Sequence, residues 1–430
     1  MFEDNSDPED YGSKSFGKTQ PYETTFAQRY KINASGITND INNCDLKKFQ
    51  PGINKLTKYF EEKGPPLIGY TGALLFERLQ LCFDSNDPLV EEYHANEELR
   101  KAAFHLLCWF GYDKCTTYPA DQLSNPEYVE QAFNNIKSTN IELVNDGLGL
   151  LTGVIHNIAV YNYFIENNGL DIIFQLDNRT FIPIFLRKLF KLWSNDKNNS
   201  ENDFRSSVYH RTVPFIYQFL DSRYSVVKNR TFNVLRVLKK RGIEVDPNEI
   251  INRLPNLLQD PYNAVIAAAL TYIRKVPEVS QELFKQLIEV SNKNQKIGIE
   301  VFKYLYKRVD TLSQENISLL VEALLEAATN GPAKLGEYAL PILTELTTAN
   351  NIWDERLIDA YMKFLQEPRT IKVSIEGLCK CLEISEGSGH NQDVIDRLSE
   401  YTDIFSELMQ NDDEVVSHFS SQILERLEQL

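Results

Sequence analysis

The sequence predicts an all-α protein built as a solenoid of stacked helices, and three observations carry that prediction. Apolar residues recur at three- and four-residue steps through most of the chain. Glycine is scarce, 19 in 430 residues, while Leu, Ile, Asn, Glu and Lys abound, a balance that favours helices over turn-rich sheets. A short apolar pattern also returns at intervals of 32–46 residues, the kind of period that belongs to repeat architectures.

Residues 1–40 are rich in Asp, Ser, Asn and Gly and hold no sustained period. Such a segment buries too little apolar surface to offset the entropy of ordering it, so it is expected to be a disordered acidic and polar tail. The helical period starts at Leu46, with Phe49, Ile53, Leu56 and Phe60 on one face, and Gly64-Pro65-Pro66 stops it. Helices are expected next over Gly72–Phe83, Pro88–Tyr112 and Asn125–Ile136, separated by polar turns. Their uneven lengths make 41–140 an irregular helical cap of the solenoid, with a separate small helical domain as the alternative.

From 141 to 430 the chain repeats itself. The pattern apolar–apolar–x–x–apolar appears at Val154–Ile158, Val234–Leu238, Ala269–Ile273, Val301–Leu305, Ile342–Leu346, Leu378–Leu382 and Ile423–Leu427. Lys188–Leu192 is a looser copy, and Leu106–Phe110 an earlier one. A turn rich in Asp, Asn and Pro precedes the helix of most copies, as at Asp221-Ser222-Arg223, Asp260-Pro261 and Asn330-Gly331-Pro332. These residues supply helix caps and a pre-set first φ. One helix pair cannot cover its own apolar face, so successive pairs are expected to share a continuous core. The runs Asn195–Asp203 and Ser385–Gln392 read as loop insertions that lengthen two of the steps.

Turn, long helix, connector and second helix in this order resemble the armadillo/HEAT superfamily, over about two-thirds of the chain. The stretch Gly147–Leu176, with helices broken near Ala159 and at Gly169, is similar to the core of one armadillo repeat. The resemblance implies a right-handed superhelical solenoid whose last helix in each repeat lines a concave groove. It also implies a binding scaffold.

Composition narrows the function. No run approaches 18 apolar residues, so no membrane span is expected. The acidic start MFEDNSDPED lacks the apolar stretch of a signal peptide, and the six cysteines show no disulfide spacing. The expected location is therefore inside the cell, in the cytoplasm, with the nucleus as the alternative. No phosphate loop, dinucleotide fingerprint, zinc-helix motif or nucleophile elbow occurs. The six histidines are scattered, and Cys379 and Cys381 are too close together for a usual zinc pair. The expectation is a non-enzymatic protein with no cofactor and no metal.

Net charge is −16, yet 14 Lys and Arg against four acids make Arg179–Arg241 +10 and leave the remainder −26. Arg187 and Lys191 stand four apart, and Arg230, Asn233 and Lys240 share a face in the next repeat. By the resemblance these side chains would form rungs of one groove, about 10 Å apart at helix-packing distances. Tyr272, Lys303 and Tyr304 would extend it with stacking and hydrogen-bonding surfaces. Asn157 sits where nuclear-import adaptors of the armadillo class carry a groove asparagine, and would hydrogen-bond a bound backbone. The residue four before it is Gly153, however, and Lys191, Val237 and Tyr272 replace the asparagine later, so the import-adaptor pattern fails.

The expected partner is therefore a protein or peptide with an acidic or phosphorylated segment, held in a basic groove. A regulatory subunit of an enzyme or chaperone, of exchange-factor or phosphatase-subunit type, is the alternative. A nucleic-acid-binding solenoid ranks third, because the chain as a whole is acidic.

Overall fold

The computed structural model describes residues 25–43, 46–64, 75, 78–79, 82, 96–112, 123–195, 203–273, 280–292 and 294–428. The expected tail over 1–24, most of the helix expected at 72–83 and the insertion at 196–202 lie outside them. Among the described residues the secondary structure is entirely helical, as the periodicity predicts. None of these helices is long and apolar enough to cross a membrane. The chain divides into two compact units, Met1–Ala269 and Leu270–Leu430.

The first unit holds α1 (Thr25–Asn42), α2 (Leu46–Lys63), α3 (Glu97–Gly111), α4 (Pro126–Asn135), α5 (Ile141–Val154) and α6 (Ile158–Glu166). It continues with α7 (Gly169–Ile173), α8 (Ile182–Asn195), α9 (Asp203–Ile216), α10 (Ser225–Lys240), α11 (Pro247–Ile251) and α12 (Leu254–Leu258), and α13 (Asn263–Ile273) straddles the division. The tail is thus shorter than expected, since Thr25–Asn42 is helical and buries Ala34, Thr38 and Ile41. These three recur at steps of four and three, a helical stripe too short and too polar to stand out in the sequence.

Helices α2, α3, α5, α8 and α10 pack one on the next as a single layer. Helices α4 and α9 lie against α5 and α10 from the second layer. Because α5 packs on both α3 and α4, the stack runs through residue 140 without a break. The α3–α5 contact is close enough to exclude side chains: a Cβ on Gly149 would stand 2.0 Å from the carbonyl oxygen of Cys108. Glycines in the GLGLLTG helix therefore cost helix propensity in exchange for backbone approach.

The second unit repeats one arrangement. Helices α14 (Gln281–Ser291), α15 (Gln295–Tyr306), α16 (Gln314–Thr329), α17 (Ala333–Asn350), α18 (Arg356–Lys363) and α19 (Ile371–Ser388) alternate between two layers. The unit ends with α20 (Asn391–Ser399), α21 (Thr402–Leu408) and α22 (Glu414–Glu428). One layer runs α15–α17–α19–α22 and the other α14–α16–α18. Side chains of Ser280, Asn294 and Ser313 cap α14, α15 and α16, each accepting a bond from a backbone N–H of the first turn.

Within each unit the five-residue pattern marks one layer, on α3, α8 and α10 in the first and on α15, α17, α19 and α22 in the second, while Ala269–Ile273 ends α13 at the division. Its apolar positions are the core, with Val234, Leu235, Leu238, Val301, Phe302 and Leu305 wholly buried. One copy departs. Val154–Ile158 spans the break between α5 and α6, so the helix expected to end near Ala159 ends at Val154.

Candidate partner-binding surface

The nine residues expected to line a groove are divided between the two units. Asn157, Arg187, Lys191, Arg230, Asn233 and Lys240 belong to the first unit, and Tyr272, Lys303 and Tyr304 to the second. Asn157 is the N-cap of α6, its Oδ1 accepting the Ala159 N–H at 2.9 Å, so its side chain is engaged at home. Asn233 Oδ1 accepts from the Arg236 guanidinium one turn on. Tyr304 is fully buried, its ring 3.8 Å under the Arg308 guanidinium carbon, and Tyr272 is half-buried. Lys303 lies 3.6 Å from Glu300 and over the Tyr338 ring. At the fourth position of the five-residue pattern Trp109, Tyr304 and Cys381 are buried whereas Lys191 and Glu345 are exposed, so the facing of that position follows the neighbouring helices.

The basic segment is also less cationic in space than along the chain. Arg179 pairs with Asp177 at 2.7 Å, Arg211 with Asp171 at 2.8 Å and Lys228 with Asp260 at 2.9 Å. All three acids lie outside the window that counts +10. Arg205 is buried with its guanidinium over Trp193, and Arg223 bonds the Tyr224 hydroxyl. Arg230 is half-buried and lies close enough to Tyr262 to oppose the burial that raises its phenol pKa.

What the fold does bring together is the C-terminal ends of α8 and α10. Arg241 Nη2 donates to Ser194 Oγ at 3.2 Å, joining the two neighbouring helices where each stops. Exposed Lys191 stands one turn before Ser194, and exposed Lys239 and Lys240 immediately precede Arg241. Arg187 lies one turn further back on α8, half-buried. Lysines in a last helical turn complement the helix dipole, which explains them locally. Together they also give one helix-end junction a fringe of cations. Trp193 and Phe204, ring centroids 6.3 Å apart, sit beside this junction, and Phe204 is exposed.

Two other places combine polar groups. A cleft of about 340 Å³ is lined by Val213, Pro214, Tyr217, Asp246, Glu249 and Arg253. Its charges serve each other: Arg253 meets Asp221 at 3.0 Å and Glu249 at 2.7 Å, and burial pushes the Tyr217 phenol up to about 12. The second is a cluster of His105, Asp146 and Glu61 from α3, α5 and α2. Its members are more than 40 residues apart in sequence, with no motif spacing to announce them. Among the described residues no group of three or more His, Cys, Asp or Glu is arranged to hold a metal ion.

No family model matches the chain, and no curated protein matches it. Among solved structures, one similar chain comes from the work entitled "A conserved phosphorylation switch controls the interaction between cadherin and beta-catenin in vitro and in vivo". The two are 13% identical, with 93% of this chain and 91% of that chain covered, at a TM-score of 0.35. At that overlap no residue of that protein is transferred to this one.

Proposed function

We propose that this chain is a non-enzymatic interaction scaffold of the armadillo/HEAT type, which binds an acidic or phosphorylated segment of a protein partner inside the cell. The observation that carries the reading is the junction of α8 and α10, where the Arg241–Ser194 bond joins two helix ends that carry the exposed Lys191, Lys239 and Lys240. An anionic segment gains there from several cations at once, and a phosphate adds oxygens able to accept from more than one ammonium. Binding of this kind rests on screened surface charge and weakens as salt rises.

The test is the triple variant Lys191→Glu, Lys239→Glu, Lys240→Glu, probed by fluorescence anisotropy with an acidic peptide and its phosphoserine form. Loss of three exposed attractions is expected to weaken binding at least about tenfold while the thermal melt stays in place. Binding equal to that of the unaltered chain, in a variant that still folds, rejects the reading.

A further inference from the structure

We propose that His105 is the pin of a protonation-dependent latch, which holds the C-terminal turn of α2 against α3, α5 and the start of α10. Both ring nitrogens face carboxylates: Nδ1 lies 2.5 Å from Asp146 Oδ2 and Nε2 lies 3.3 Å from Glu61 Oε1. A neutral imidazole carries one N–H and one lone pair, so it serves one carboxylate and opposes the other. The imidazolium donates to both.

The surroundings favour the cation. Asp146 on α5 is buried, and that burial holds its carboxyl above the usual carboxylate range against the opposing pull of His105, with Glu61 from α2 and Glu142 on its own helix adding negative charge beside it. On α3, burial holds the Cys108 thiol and the Tyr112 phenol well above their usual ranges, so neither supplies charge at neutral pH. For His105 itself, burial pulls the pKa down, but the hydrogen bond and charge of Asp146, then those of Glu61, outweigh it and leave it raised. A group raised in the folded state contributes stability that is fully present below its unfolded pKa. That contribution is lost as pH climbs through the folded value.

The latch reaches beyond its own three helices. The backbone oxygen of Glu61 accepts the Tyr224 hydroxyl at 2.7 Å, tying α2 to the start of α10. Gly64, at φ +89°, ends α2 against Tyr224 and Val226. Beneath this turn runs a file of rings, Phe60, Trp109, Phe181 and Tyr224, with successive centroids 6.2, 5.3 and 5.1 Å apart. Deprotonating His105 leaves one lone pair against a carboxylate, loosens the Glu61 turn and with it the Tyr224 bond. The end of α2 then lifts from the ring file while the rest of the unit stays packed.

The experiment is hydrogen exchange on the full chain, read on peptides from 53–64 and corrected for the intrinsic rate, at about pH 6 and about pH 9 on either side of the histidine titration. Protection of 53–64 is expected to fall about tenfold for each unit by which the His105 pKa is raised, while peptides from 333–350 keep theirs. An NMR titration of the unaltered chain should place His105 above an ordinary histidine. In the variant His105→Lys, a permanent cation, the pH step should flatten. Equal protection of 53–64 at both pH values overturns the proposal. So does a His105 titrating at or below the ordinary value, or a step that persists in His105→Lys.

Discussion

The most deeply set ion pairs of the two units differ in partner and depth. In the first unit charged groups are drawn into the packing: Asp260 is wholly buried against Lys228, and Asp146 meets His105 from beneath. In the second unit Glu300 is buried beside Lys303, while Arg356 between Glu322 and Asp354, Arg397 on Asp359 and Lys372 on Asp413 stay near water. A buried pair specifies one arrangement strongly and punishes loss of either partner, whereas an exposed pair does little of either. Backbone spacing varies from site to site within each unit: a Cβ on Gly298 of the second would stand 2.6 Å from the Ser291 carbonyl oxygen, and one on Gly36 of the first would meet nothing within 4 Å. Glycine brings α3 and α5 into direct contact in the first unit, while Gly387 near the end of α19 has open space where a Cβ would sit.

Five substitutions test these differences. Asp260→Ala strips Lys228 of its buried partner and also removes the oxygen that accepts the Tyr262 N–H, so it should cost about 3–5 kcal/mol in chemical denaturation. Arg356→Ala, its counterpart in the second unit, should cost less than about 1 kcal/mol. Similar losses for the two would dissolve the distinction. Next in size, Gly149→Ala forces α3 and α5 apart and should destabilise by about 1–3 kcal/mol. Gly387→Ala, inside a helix with room for a methyl, should be neutral or stabilise by up to about 1 kcal/mol. Paired thermal melts read that difference. The last substitution is Asn157→Ala. Removing an N-cap should cost about 1 kcal/mol and leave binding of the acidic peptide unchanged. Lost binding in a folded Asn157→Ala chain would return that residue to the interaction surface.

Much of this architecture was legible along the chain. The apolar pattern that ends Val234–Leu238 or Val301–Leu305 marks core helices because burial at i, i+1 and i+4 is a property of one helix. Caps such as Asn294 and Ser313 are equally local, since their partners lie two or three residues away. The facing of the intervening positions was not. Tyr304 and Lys191 occupy the same place in the pattern, yet one is buried and the other exposed, because each depends on a neighbouring helix some forty residues off. The charge count misled for a related reason, since Asp171, Asp177 and Asp260 neutralise the basic segment from outside it. Thr25–Asn42 was read as tail because its few apolar residues acquire meaning only when α2 packs on them.

By itself, then, the sequence determined that this protein is helical and repetitive, where several of its helices lie, and that its cations are gathered between Arg179 and Arg241. Only the tertiary structure decided which of those cations stay exposed at the ends of α8 and α10, and that His105 stands between two carboxylates. Helix and cap are set by interactions within a few residues, which a linear pattern records. Ion pairing and burial are set by which helix packs on which, and residues 61, 105, 146 and 224 become neighbours only in the folded stack.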